Sequence, residues 1–157
     1  MVFEIKIISG GQAGADRAAL DWALARNLPH GGWCPAGRKS EDGVIDSQYR
    51  LQETESANYR IRTARNVRDS DATLILNLGE LDGGSLETFR AAERQGKPVR
   101  VISLECALSD QHADELLDWL RRANVAVLNV AGPRESKRPG IYSATLAALD
   151  LIWARSE

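Results

Sequence analysis

Three glycine-rich turns carry the residue types from which an anion site is built. They are Ser9-Gly10-Gly11-Gln12-Ala13-Gly14-Ala15-Asp16, Asp82-Gly83-Gly84-Ser85-Leu86-Glu87-Thr88 and Ala131-Gly132-Pro133-Arg134-Glu135-Ser136-Lys137. Each follows an apolar, strand-like run and leads into a helix-like run. A helix N-terminus offers unpaired N–H groups and a partial positive charge, and glycine lets a phosphate approach the backbone without a Cβ in the way. One such turn says little; three in a chain of 157 residues point to a ligand with several anionic or polar groups. Arg134, Lys137 and Arg138 concentrate positive charge at the third turn, where Pro133 also stiffens the loop.

The spacing fits neither of two familiar phosphate motifs. No Gly-Lys-Ser/Thr follows the first turn, as a P-loop requires, and the dinucleotide fingerprint Gly-x-Gly-x-x-Gly is absent. Gly10, Gly11 and Gly14 also admit a purely architectural reading, a tight turn with close helix packing. Ser85 can be a helix N-cap and Glu87 a first-turn acid; in a catalytic reading Glu87 is the candidate general acid or base. Asp16 either bonds a ligand hydroxyl or only favours the helix N-terminus. Arg60, Arg62, Arg65 and Arg68 make one helix basic, read mainly as a solvated face. His30 and His112 do not sit in metal-ligand spacing, and Cys34 and Cys106 lie far apart, so neither a protein-bound metal nor a disulfide is expected. Cys34 reads as a packed small residue, and Trp22, Trp119 and Trp153 as core or subunit-interface residues.

The elements that must position these residues follow from hydrophobic periodicity. Strands are expected over residues 2–8, near 28–33, and over 72–78, 98–104 and 125–130; helices over 15–26, 58–69, 85–95, 110–124 and 140–154. Ala19, Leu20, Ala23 and Leu24 share one side of the first helix, Ile61, Ala64 and Val67 one side of the second. Ala113, Leu116, Leu117 and Leu120 do so in the fourth, with Ser109 as its N-cap. The polar stretch from Cys34 to about Thr54 is too long for a plain connector, and it holds Arg38 and Lys39. Strands apolar throughout and alternating with helices predict an α/β fold, an open, mainly parallel doubly wound sheet in one domain spanning residues 1–157. Strand-to-helix loops of such a sheet leave from one edge, so the three turns should meet there.

Composition sets the outer bounds. With 43% hydrophobic and 27% charged residues and a net charge of −2, the chain is an ordinary globular one without bulk attraction for nucleic acid or membrane. Residues 1–6 lack a signal-peptide pattern and no apolar stretch would span a bilayer, so a cytoplasmic location is expected.

Three stretches carry a family resemblance. Ile8-Ser9-Gly10-Gly11-Gln12-Ala13-Gly14-Ala15-Asp16-Arg17, His30-Gly31-Gly32-Trp33-Cys34-Pro35-Ala36-Gly37-Arg38, and Arg62-Thr63-Ala64-Arg65-Asn66-Val67 with Ser70-Asp71-Ala72-Thr73-Leu74-Ile75 resemble the molybdenum cofactor carrier proteins. These form a circularly permuted, YpsA-like branch of the SLOG superfamily of Rossmann-like ligand-binding domains. The resemblance spans nearly the whole chain, and its most specific stretch is His-Gly-Gly-Trp-Cys-Pro.

The resemblance implies a three-layer Rossmann-like domain that binds an anionic phosphorylated ligand, the molybdenum cofactor (molybdopterin), for storage, protection or transfer. The implied pocket comprises Gly10 to Ala15 with Asp16, Gly83-Gly84-Ser85, and Gly132 through Pro133, Arg134, Glu135 and Ser136 to Lys137, with Arg38, Lys39, Thr63 and Asn66 as additions. The metal would arrive with the pterin. Implied partners are molybdoenzymes or cofactor-synthesis proteins, and the implied assembly is a homo-oligomer, dimer or tetramer. The alternative is a nucleotide-binding sensor or a phosphoribohydrolase-like enzyme acting on nucleoside monophosphates, with Glu87 catalytic. Those enzymes resemble Pro-Gly-Gly-x-Gly-Thr-x-Glu, whereas here the acid is displaced and a second glycine pair is missing. Single-stranded nucleic acid is disfavoured by an aromatic content of 6%.

Overall fold

The computed structural model describes residues 4–157. In chain order the elements are β1 Lys6–Ile8, α1 Ala15–Ala25, β2 His30–Gly31, β3 Trp33–Cys34, β4 Lys39–Ser40, β5 Gly43–Val44, β6 Gln52–Glu53, α2 Tyr59–Arg68, β7 Ala72–Asn77, α3 Gly83–Arg94, β8 Val99–Ser103, α4 Asp110–Arg122, β9 Val127–Ala131 and α5 Ile141–Ser156. Five strands form one sheet in the order β2-β1-β9-β7-β8, parallel at every pairing. The expected first strand began at Val2; Val2 and Phe3 lie outside the described residues. The expected second strand is split by Gly32, whose φ of 128° turns the chain out of the sheet so that β3 pairs with β6 instead.

Burial explains the layering. Every residue of β7 is buried, as a central strand covered on both faces requires. Ile7, Leu74, Leu76, Leu128 and Val130 send their side chains into a core shared with Ala19 and Trp22 of α1, Leu116, Leu117 and Leu120 of α4, and Ile141, Leu149 and Ile152 of α5. A second, smaller core of Val67, Ala91 and Ala92 joins α2 to α3 with Val99 packed against it. The result is the three-layer, Rossmann-like α/β/α arrangement. On α2 the fully buried positions are Thr63, Asn66 and Val67, while Ile61 and Ala64 are half-buried. Asn58 and Ser109 cap α2 and α4 through hydrogen bonds from Arg60 N (3.0 Å) and His112 N (3.1 Å).

The strand order dictates where a ligand can go. From β1 the chain crosses to β2 on one side, from β7 to β8 on the other, and β9 fills the gap between β1 and β7. The loops leaving β1, β7 and β9 therefore converge on the carboxyl edge at a switch point. These are the three glycine-rich turns. Among the described residues no helix is long and apolar enough to cross a membrane.

Candidate functional site

Two of the glycines exist to bring the turns together. Gly14, the N-cap of α1 with φ 100°, lies so close to the third turn that a Cβ would sit 2.5 Å from the Pro133 carbonyl oxygen. Ala15 N donates to that same oxygen at 3.3 Å. A Cβ on Gly132 would meet the Leu76 carbonyl oxygen at 2.3 Å and the Ala15 Cβ at 2.5 Å. The architectural reading accounts for these positions. Gly11 faces Ile45 and Leu51 of the long loop, and Gly10 leaves room for the Arg62 guanidinium.

The convergent turns enclose a cleft of about 560 Å³, within the range of small-molecule sites. Its walls come from Gln12 and Asp16, from Tyr59, Arg60, Arg62 and Thr63 of α2, from Asp82 through Thr88 with Arg90, and from Ala131, Gly132, Pro133, Arg134 and Lys137. Five cationic and three acidic side chains line it. The N-terminus of α3 opens here. The helix begins at Gly83, two residues before the expected start at Ser85, and its N-cap is Asp82, yet the Asp82 side chain caps nothing. Its carboxylate is drawn away to Lys137 Nζ at 2.7 Å and Arg138 at 3.3 Å. The N–H groups of the first turn, Gly83, Gly84 and Ser85, thereby face the cleft with the helix dipole behind them.

Unmade hydrogen bonds mark the same place. Among the described residues four buried side-chain atoms lack a partner, and three of them, Gln12 Oε1, Arg62 Nε and Ser85 Oγ, belong to cleft-lining residues. Gln12 and Ser85 are 3% and 5% exposed, so water does not readily satisfy them. Leaving such a group unpaired costs about 1–3 kcal/mol, a cost a ligand can offset.

The acids differ in state. Burial pushes the Asp16 carboxyl above its usual value, against the opposing pull of Arg62 at 3.4 Å and the Gln12 N–H at 3.4 Å. Asp82 is held low by the hydrogen bond from Lys137. Glu87 is held low chiefly by Arg94 at 2.7 Å, then by Arg60 at 3.6 Å. Glu87 is the fifth residue of α3, beyond the first turn where an acid favours the dipole.

Several residues expected at the site serve other ends. The Arg38 guanidinium donates to the carbonyls of Asp46 (2.7 Å), Ile45 and Tyr49 (both 2.9 Å) and Leu51 (3.3 Å), which folds the long loop around it. Lys39 offers its carbonyl to Gln12 Nε2 at 2.9 Å, while its own side chain is exposed. Asn66 clamps both backbone groups of Trp33, at 2.8 and 3.0 Å. Glu135 accepts from Gly140 N and Tyr142 N at the start of α5, and Ser136 bonds Glu41. Ala13 and Ala15 do not line the cleft either; Thr63 does.

Conversely, Tyr59 and Arg90 line the cleft without having been singled out, and Arg60 and Arg62 line it although their helix reads mainly as a solvated face. The run of arginines on α2 was the available signal. For Arg68, exposed and paired with Asp69, the solvated-face reading stands; Arg65 instead lies over the Trp33 ring at 4.8 Å. Among the described residues no group of three or more His, Cys, Asp or Glu is gathered to hold a metal.

Fold and cleft together define a Rossmann-like α/β domain with an open cleft at the sheet's switch point. The chain belongs to the circularly permutated YpsA SLOG family, whose model matches residues 7–153. It is also similar to a crystal structure named "Putative molybdenum carrier protein" from Syntrophus aciditrophicus SB. Identity is 47% over 95% of each chain, with a TM-score of 0.90. Among curated proteins no match was found.

Proposed function

We propose that the cleft binds an anionic, phosphorylated small molecule and that this protein carries the molybdenum cofactor. The observation behind this reading is the coincidence of the open α3 N-terminus with the orphaned Ser85 Oγ, Arg62 Nε and Gln12 Oε1 in one cleft. Arg90 and Arg134 add charge there, and neither forms an ion pair among the described residues. The cofactor's phosphate suits a helix N-terminus flanked by arginine, and its pterin offers donors and acceptors for Gln12 and Arg62. Its metal would travel with it as cargo, and the intended recipients are molybdoenzymes or proteins of cofactor synthesis. The name of the 47% identical structure lends support.

Glu87, the acid on which hydrolysis of a nucleoside monophosphate would depend, is paired with Arg94 and held in its ionised form. A general acid must carry a proton at working pH, so this pairing speaks against the acid role, and a lowered proton affinity makes the carboxylate a weaker base; both disfavour the hydrolytic alternative.

The test is to express the protein in a host that makes the cofactor, purify it anaerobically and denature it. Released phosphopterin, molybdenum and nucleotides are then quantified together. Pterin and molybdenum in similar amounts are expected. No pterin above background, with no uptake of cofactor added from a denatured molybdoenzyme, overturns the carrier reading; release of nucleotide alone replaces it with a nucleotide-binding one.

A further inference from the structure

Arg62 is the least ordinary side chain in the cleft. Its helix is otherwise decorated with arginines that meet solvent or surface acids, such as Arg60 at 74% and Arg68 at 58% side-chain exposure. The Arg62 side chain is only 14% exposed, and three separate features hold it in place. Its Nη1 lies 3.4 Å from Asp16 Oδ2, itself buried at the base of α1. Its guanidinium occupies the space where Gly10 has no side chain, since a Cβ there would fall 1.9 Å from Nη1 and 2.6 Å from Cζ. The Tyr59 ring stacks 5.6 Å from Cζ. A guanidinium that is braced, desolvated and still has Nε unpartnered is expensive to keep unless something binds it.

We propose that Arg62 is a ligand-recognition residue, seated by Gly10 and braced by Asp16, that donates to an oxyanion or carbonyl oxygen of the ligand. This inference rests on the carrier reading of the cleft. The first glycine of the first turn is thereby explained as a socket for an arginine from α2, and Gly10 and Asp16 as positioning residues. Asp16 orients the fork from one side and leaves Nε for the ligand. Lysine would not replace the arginine, because its three donors radiate from a single nitrogen and lack the planar fork that holds Asp16 at one nitrogen and the ligand at another.

The experiment measures affinity for molybdenum cofactor released from a denatured molybdoenzyme, alongside the melting temperature of each variant. In Gly10→Ala the new Cβ would fall on the Arg62 guanidinium and 2.9 Å from Asp16 Oδ2, so it displaces the guanidinium and crowds its brace without deleting either. Arg62→Ala and Gly10→Ala are each expected to weaken binding at least about tenfold, the scale of one lost charge-assisted hydrogen bond. Arg62→Lys should recover little of that. The Gly10→Ala/Arg62→Ala double variant should bind no worse than Arg62→Ala alone, because the glycine acts through the arginine; Asp16→Asn combined with Arg62→Ala should behave alike. Additive losses overturn the positioning roles. Wild-type affinity in a folded Arg62→Ala or Arg62→Lys protein overturns this inference and leaves the carrier reading intact, whereas no binding by the wild type removes both.

Discussion

Gly14 and Gly84 are one residue type put to opposite uses, and substitution separates them. At Gly14 the backbone has φ 100° and a Cβ would press on fixed backbone, the Pro133 carbonyl oxygen and the Glu135 nitrogen at 2.5 and 2.7 Å. Gly14→Ala is expected to cost at least about 1–3 kcal/mol from backbone strain alone. At Gly84 nothing lies within 4 Å of a built Cβ and φ is not in the left-handed region. Gly84→Ala should leave stability unchanged or raise it by up to about 1 kcal/mol, since alanine is the better helix residue, while its methyl group intrudes on the cleft and lowers cofactor affinity. Urea denaturation and cofactor titration of the two variants check this. A Gly14→Ala protein as stable as wild type, or a Gly84→Ala protein that binds normally, contradicts the division. The sequence told that glycines recur at helix starts but not which kind each was. That depended on Pro133 and Leu76, far along the chain, and on Arg62 for Gly10.

At the scale of elements, periodic apolar runs were read well because burial acts on them directly: β7 and α4 lie within two residues of expectation, with Ala113, Leu116, Leu117 and Leu120 buried together. Misreadings fell where a distant side chain decided the outcome. Gly83, not Ser85, begins α3, with Asp82 at the N-cap position, and Lys137 and Arg138 draw the Asp82 carboxylate off the helix end. The long stretch after Cys34 was expected to send Arg38 and Lys39 to the ligand, but it needs an organiser of its own. Leu20, Cys34, Ile45 and Tyr49 make a small core beneath it. Arg38 ties four of its carbonyls, and Tyr49 and Tyr142 both donate to Asp21 at 2.5 Å, fastening loop and α5 to α1. Arg38→Ala should therefore loosen this element selectively. Hydrogen exchange over residues 39–53 is expected to accelerate by one to two orders of magnitude, about 1.5–3 kcal/mol of local opening energy, while α4 amides keep their protection. Uniform acceleration throughout the chain would mean that the loop is no separate unit.

For the whole molecule, the ionisable groups divide by sign, and that division sets how stability follows pH. Asp42, Asp69, Asp82, Glu87 and Asp114 are held below their ordinary values by hydrogen bonds from Arg17, Arg68, Lys137, Arg94 and Arg155 respectively. A depressed folded value means stability that is present above the unfolded value, near pH 4, and lost as pH falls through the folded one. Asp16 has the reverse sign. Burial raises its folded value, so its contribution is present below the unfolded value and lost as pH rises through the folded one; its ionised form costs stability. His30, lowered by burial first and by Arg50 and Lys6 next, resists the proton that the unfolded chain takes up below about pH 6.5, which destabilises on acidification. Wild type minus Asp16→Asn cancels His30 and the five paired acids and leaves Asp16, which in the folded protein faces the charges of Arg62 and Arg17. The difference in unfolding free energy, from urea titrations at constant ionic strength, is expected to move in favour of wild type as pH is lowered from 7 toward the ordinary carboxylate range. Both proteins should then lose stability together below about pH 4 as the paired carboxylates are neutralised. Parallel curves from pH 7 to 4 would mean that Asp16 ionises as freely in the fold as outside it, and that Arg62 fully offsets the burial of its partner.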